Sequence, residues 1–163
     1  MRKPEDLKRL LLRAVPGLAD DPSRLALYVD EGRIAASAGS LSFEYRYKLN
    51  LVVQDYAGDR DAVVVPLLAW IAEAQPELMA RPDSQPFSFE AEILDADSVD
   101  LSITLELTER VRVGRNDAGD TVVDHVDEVA ADLDRFEGVC GASLWQLFLR
   151  DDLIAHSAAH PPA

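Results

Sequence analysis

The chain has 163 residues, the size of one ordinary domain, and a formal net charge of −14 from 30 acidic against 16 basic side chains. That acidity argues against a reader of nucleic acid sequence, since phosphate binding depends on Lys and Arg displacing counterions. No apolar run reaches membrane-spanning length, the opening MRKPEDLKRLLLRAV is too charged for a signal peptide, and Cys140 has no second cysteine to pair with, so a cytoplasmic protein is expected.

Residues 4–14 read as a helix. Leu7, Leu10, Leu11 and Ala14 fall on one stripe, Pro4 suits the first turn and Pro16-Gly17 ends the pattern. Residues 25–30 and 33–37 read as two short strands around Asp30-Glu31-Gly32, a hairpin signal. Residues 41–55, LSFEYRYKLNLVVQD, alternate with period two: Leu41, Phe43, Tyr45, Tyr47, Leu49, Leu51 and Val53 against Ser42, Glu44, Arg46, Lys48 and Asn50. This predicts one long strand with an apolar and a charged face.

A second helix is predicted over residues 61–74, with Val64, Leu67, Leu68 and Ile71 as its buried stripe. Pro66 either kinks it or marks a start near Val65, since an interior proline removes a backbone hydrogen bond. After a Pro-containing loop, Phe87, Phe89, Ala91 and Ile93 alternate with Ser88, Glu90 and Glu92 as another strand. Residues 99–113 form the second long alternating segment, with Val99, Leu101, Ile103, Leu105, Leu107, Val111 and Val113 on its apolar side. RNDAGD, 115–120, reads as a hairpin tip leading into a strand over 121–126. Residues 127–141 are acidic and weakly patterned, a loop with a short helical turn. Residues 144–149 and 153–155 are compatible with a closing hairpin or a short helix, and the hairpin is favoured. The tail from His156 has no core-forming residues and is expected to be mobile. The expected fold is α+β: a mainly antiparallel sheet with two long strands packed on one or two helices, a single domain over 1–155 followed by a tail over 156–163.

Chemistry is sparse. There is no Gly-rich phosphate loop and no paired-cysteine motif. Cys140, in GVCGA, has no local base and reads as a small buried thiol. Asp124-His125-Val126-Asp127-Glu128 bunches metal-capable groups, but strand geometry sends His125 and Asp124 to opposite faces, so no metal is expected. Glu44, Glu90, Glu92 and Glu106 lie on polar strand faces, and no nucleophile, base and orienting partner assembles around them. No catalytic residue, metal or cofactor is assigned. Trp70 reads as core. Trp145 and Phe148 sit in a segment apolar on both sides, which must be covered on both sides, and Arg46, Lys48, Arg110 and Arg112 are cations grouped on strands. These six are the candidate subunit-interface residues.

Several segments together carry a resemblance: MRKPEDL (1–7), RLALYVDEGRIAA (24–36), LSFEYRYKLNLVVQDYAGDRDAVVVPLLAWI (41–71), QPEL (75–78), DLSITLELTERV (100–111) and LWQLFLRDDLIA (144–155). From Met1 to about Ala155 the chain resembles the tail completion protein R family of temperate contractile-tailed phages, the peduovirus group, and related prophages. The acidic stretch 122–141 matches least. The resemblance implies a virion structural protein without catalytic residues, assembled in the host bacterial cytoplasm and located in the tail or neck. By analogy with tail terminators it implies a ring, a hexamer, at the head-proximal end. Its partners would be other copies of itself, the tube and sheath proteins and the head–tail connector. DNA would only pass through the lumen, and no membrane is involved. Two readings of other classes stand beside this one: a small acidic module that binds or inhibits a basic partner, and a carboxylate enzyme.

Overall fold

The alternating files of residues become the central strands of an antiparallel sheet. The computed structural model describes residues 1–80, 83–94 and 98–126, and the backbone of 146–149 and 152–156. In chain order the elements are α1 (Lys3–Ala14), β1 (Leu25–Ala36), β2 (Phe43–Tyr56), α2 (Asp61–Ala74), β3 (Ser88–Ile93), β4 (Val99–Arg115), β5 (Thr121–His125), β6 (Gln146–Leu149) and β7 (Asp152–His156). The main sheet runs β1-β2-β4-β3, and β5 also pairs with β4. All pairings are antiparallel. The fold is therefore α+β, as the periodicity predicts.

β2 and β4 are joined from Phe43↔Val111 to Tyr56↔Val99. This register stacks Leu49 beside Leu105, Leu51 beside Ile103 and Val53 beside Leu101, all on one face. Both helices cover that face, and Leu7, Leu11, Leu49, Leu51, Leu67, Ile71, Ile103 and Leu105 are completely buried in the resulting core. α1 buries Leu7, Leu10, Leu11 and Ala14, the predicted stripe. β3 and β5 share the far edge of β4: β3 takes Val99 to Thr104, and β5 takes Val111 to Arg115. Between them a stretch of β4 lacks a neighbouring strand among the described residues.

Three details differ from the sequence reading, and one alternative it left open is resolved. Asp30-Glu31-Gly32 is a β-bulge, not a hairpin. Both halves of β1 pair with β2, the register shifts between Asp30 and Arg33, and Glu31 absorbs the extra residue at φ 51°. α2 begins at Asp61 and runs through Pro66, so a start near Val65 is excluded. The Asp59 side chain accepts the Asp61 N–H at 3.0 Å and its carbonyl accepts the Ala62 N–H, which fixes the first turn ahead of the proline. The buried stripe of α2 is Ala62, Val63, Pro66, Leu67, Trp70 and Ile71, whereas Val64 and Leu68 are only half-buried. The apolar side chains of β3 are exposed, because neither helix reaches that edge.

The hairpin tip forms as predicted: the Asn116 side chain accepts the Asp120 N–H at 2.8 Å, and Gly119 turns the chain at φ 88°. The C-terminal segment is a hairpin: β6 and β7 pair antiparallel as a separate two-stranded sheet, and β6 lies beside α1. The readings made for 127–141, Cys140 and the tail beyond His156 lie outside the described residues.

Leu67→Ala or Ile71→Ala should each cost about 2–5 kcal/mol in urea unfolding, because both side chains are fully enclosed. Ile93→Ala, at the exposed β3 edge, should cost less than about 0.5 kcal/mol. Equal costs at the three positions would contradict this packing.

Candidate functional site

The face of the sheet turned away from the helices is polar and carries the predicted cations. Arg46 bonds to Glu44 on its own strand at 2.6 Å, Lys48 to Glu31 of the bulge at 2.9 Å, and Arg112 to Asp124 of β5 at 3.2 Å. The Glu31 carboxylate, first through its hydrogen bond, holds the Lys48 ammonium above its ordinary pKa. Arg110 is exposed on β4 opposite Glu44 and is also engaged. Asn50 donates to Asp30 at 3.0 Å and accepts from Thr104 at 2.9 Å, which links three strands. Exposed pairs of this kind add little stability. They order the face rather than hold the fold.

Trp70 is buried on α2, as expected. Trp145 lies outside the described residues, and of Phe148 only the β6 backbone is described. Asp124 and His125 point to opposite faces: Asp124 meets Arg112, and His125 faces Glu109. Among the described residues no group of three or more His, Cys, Asp or Glu is placed to hold a metal, and no helix is long and apolar enough to cross a membrane.

The principal polar site is one the periodicity reading passes over. Glu109 interrupts the apolar file of β4 and is 4% exposed. Its Oε1 accepts the Tyr47 hydroxyl at 2.5 Å, and its Oε2 accepts the Arg2 backbone N–H at 2.7 Å. His125 Nδ1 stands 3.4 Å from Oε2. One buried carboxylate thus ties the start of α1 to β2, β4 and β5. The signal was present in the sequence as the single charged residue in an otherwise apolar alternating file.

Gln75, just past α2, is the second such residue, 1% exposed. Its Oε1 accepts the Thr108 backbone N–H at 3.1 Å and the Lys3 ammonium at 2.7 Å. Its Nε2 donates to Thr108 Oγ1 at 2.9 Å and Glu77 Oε1 at 2.5 Å. The side-chain amide stands in for a strand where the edge of β4 is uncovered between β3 and β5. A buried backbone N–H must find a partner, and nothing in the local sequence marks Gln75 as that partner.

This arrangement is structural. Glu109 is enclosed, and each of its oxygens accepts a hydrogen bond. A broad concavity of about 530 Å³ on the polar face is lined instead by residues such as Ala35, Glu44, Arg110, Arg112 and Val126. Glu44, Glu90, Glu92 and Glu106 are spread over β2, β3 and β4. The enclosed carboxylate and the open surface therefore do not coincide, and among the described residues Glu44 is the one carboxylate lining the concavity, so no carboxylate pair converges there.

Three comparisons bear on the chain. The family model for P2 phage tail completion protein R (GpR) matches residues 1–129, which include both helices and β1 to β5. The tail completion protein R of Escherichia phage P2 is 47% identical over 120 residues, covering 72% of this chain and 77% of that protein. No solved structure matches.

The Glu109 network generates a pH prediction. Burial first, and then the bond to Glu109, push the Tyr47 hydroxyl well above its ordinary value of 10.0. A raised folded-state pKa contributes stability that is complete below the unfolded value and is lost as pH rises beyond it. Unfolding free energy should therefore fall above about pH 10. Tyr47→Phe should flatten that alkaline slope and cost about 1–3 kcal/mol at neutral pH, since Glu109 loses a donor. Tyr56, raised chiefly by burial, keeps part of the slope in the variant. An unchanged slope in denaturant titrations from pH 8 to 11 would refute the raised, buried Tyr47 hydroxyl.

Proposed function

The chain belongs to the P2 phage tail completion protein R family, and from that premise we propose that it is a subunit of a closed ring, a hexamer, at the head-proximal end of a contractile tail. There it ends growth of tube and sheath and allows the tail to join the head. The family is one of structural tail-completion proteins and not of enzymes. The observation that carries the reading is the 47% identity with the P2 protein, extending over most of both chains.

Within this proposal residues 1–155 act as one completion domain. Its partners are other copies of itself, the tube and sheath proteins and the head–tail connector. The chain is assembled in the host cytoplasm and resides in the tail or neck of the virion. The polar face supports the ring reading. Arg46, Lys48 and Arg112 are held in place by their own carboxylates, so a neighbour meets an ordered surface. Arg46, Lys48, Arg110, Arg112, Trp145 and Phe148 are the contact residues proposed from the sequence. The net charge of −14 suits a lumen through which DNA passes without adhering, since like charge repels phosphate.

Deleting the gene should leave filled heads beside unjoined, defective tails, and supplying the wild-type chain should restore joining. Normal infectious particles from the deletion would refute the proposal. The purified protein should not retain duplex DNA at physiological salt. A tight, salt-sensitive complex would overturn the acidic-lumen part, because it would require a basic surface.

A further inference from the structure

We propose that the two open edges of the sheet are the two halves of one subunit contact: β3 of one copy adds, antiparallel, to the outer half of β1, residues 33–36, of the next. The inference rests on the ring reading and assigns its interface.

β1 and β3 end the strand order, and among the described residues neither has a strand on its outer side. Such an edge presents unpaired N–H and C=O groups and is a template for another strand. The side chains on the two edges also match face by face. On the helix side, Phe89 and Ile93 of β3 are 64% and 73% exposed, and Ile34 of β1 is 58% exposed. On the polar side, β3 carries Glu90 and Glu92, neither with an ion pair or hydrogen bond among the described residues. β1 carries Arg33, equally without a partner there, and set directly opposite Arg46. Like charges facing each other across strands are unfavourable, and Arg46 is satisfied by Glu44 while Arg33 is not. Laying β3 of one copy along β1 of another, with both faces kept, sets Glu90 and Glu92 against Arg33 and places Phe89 and Ile93 beside Ile34. Shifting the pairing by one residue would reverse every face, so the charge and apolar patterns specify the register.

Strand direction agrees. β1, β2, β4 and β3 alternate along the sheet, so β3 runs opposite to β1. A neighbour in the same orientation therefore presents β3 antiparallel to β1. The contact joins two different surfaces and is head-to-tail, the kind that propagates and closes into a ring. β3 lies level with the Val99 end of β4, whereas Arg33 lies level with Thr108 through Arg46. Adjacent copies are thus staggered along the strands, and closure requires the strands to tilt from the ring axis, as in barrels.

The test uses the full chain supplied to the deletion. Arg33→Glu, and separately Glu90→Arg with Glu92→Arg, should each lower infectious titre about tenfold or more, since like-charge contacts recur at every interface. The isolated variants should unfold at the wild-type temperature. Combining all three substitutions should restore titre. In a Cys140→Ser chain, Ile34→Cys with Ala91→Cys should yield a ladder of disulfide-linked oligomers on oxidation of assembled tails, a readout independent of any charge effect on stability. Electron microscopy of wild-type tails tests the ring itself. A ring with wild-type titres for the separate reversals, no rescue by the combination, or no ladder overturns this interface alone. Absence of a ring overturns both the interface and the reading beneath it.

Discussion

Antiparallel pairing of β2 with β4 is the contact from which the rest of the structure follows. Both strands place branched and aromatic side chains on one face, and enclosing each large apolar side chain contributes about 1.5–3 kcal/mol. The register that aligns Leu49 with Leu105 and Leu51 with Ile103 is the one that gives the helices a continuous surface to cover. A shift of one residue would send that file into water. The pairing is pinned at both ends. At one, a bulge before Tyr56 is closed by the Asp100 side chain, which accepts the Asp55 N–H at 2.7 Å. Toward the other, Tyr47 reaches across to Glu109.

β4 is longer than any single neighbour on its far edge, and this accounts for the buried Gln75. β3 and β5 each cover one end, and the middle must be satisfied by side chains. Gln75 does so from the end of α2, while Glu109 gathers donors from the start of α1 and from β2. A carboxylate inside an apolar core is costly unless hydrogen-bonded. Once satisfied, it fixes which elements meet. Here it holds the N-terminus of the chain against the sheet, so the helical layer has one seating rather than several.

The charge distribution connects this scaffold to assembly. A chain with so strong an acidic excess spends several of its cations on internal pairs across the polar face. These pairs add little stability, but they leave a defined pattern at the two edges. The carboxylates of β3 and the guanidinium of Arg33 remain outside it, on the same polar face but at opposite edges of the sheet. Opposite charge on opposite edges is the basis of the head-to-tail contact proposed above.

Period-two alternation over residues 41–55 and 99–113 by itself determined that two long strands dominate the chain. The stripe of Leu7, Leu10, Leu11 and Ala14 determined α1, and the absence of any catalytic motif agreed with a structural role. These features were legible because local periodicity reports which side of an element is buried. The Asp30-Glu31-Gly32 segment reads the same for a hairpin or a bulge, and only pairing of both halves with β2 decided between them. The buried side of α2 lies toward Val63 and Trp70 because it is set by the surface against which the helix packs, which its own sequence does not describe. Gln75 and Glu109 became a site only when distant segments met: the need for a partner at Thr108 arises from the edge that β3 and β5 leave uncovered, and the donors to Glu109 come from β2 and the start of α1. The exposure of Phe89 and Ile93, which alternation alone assigns to a core, was likewise decided by where the helical layer ends.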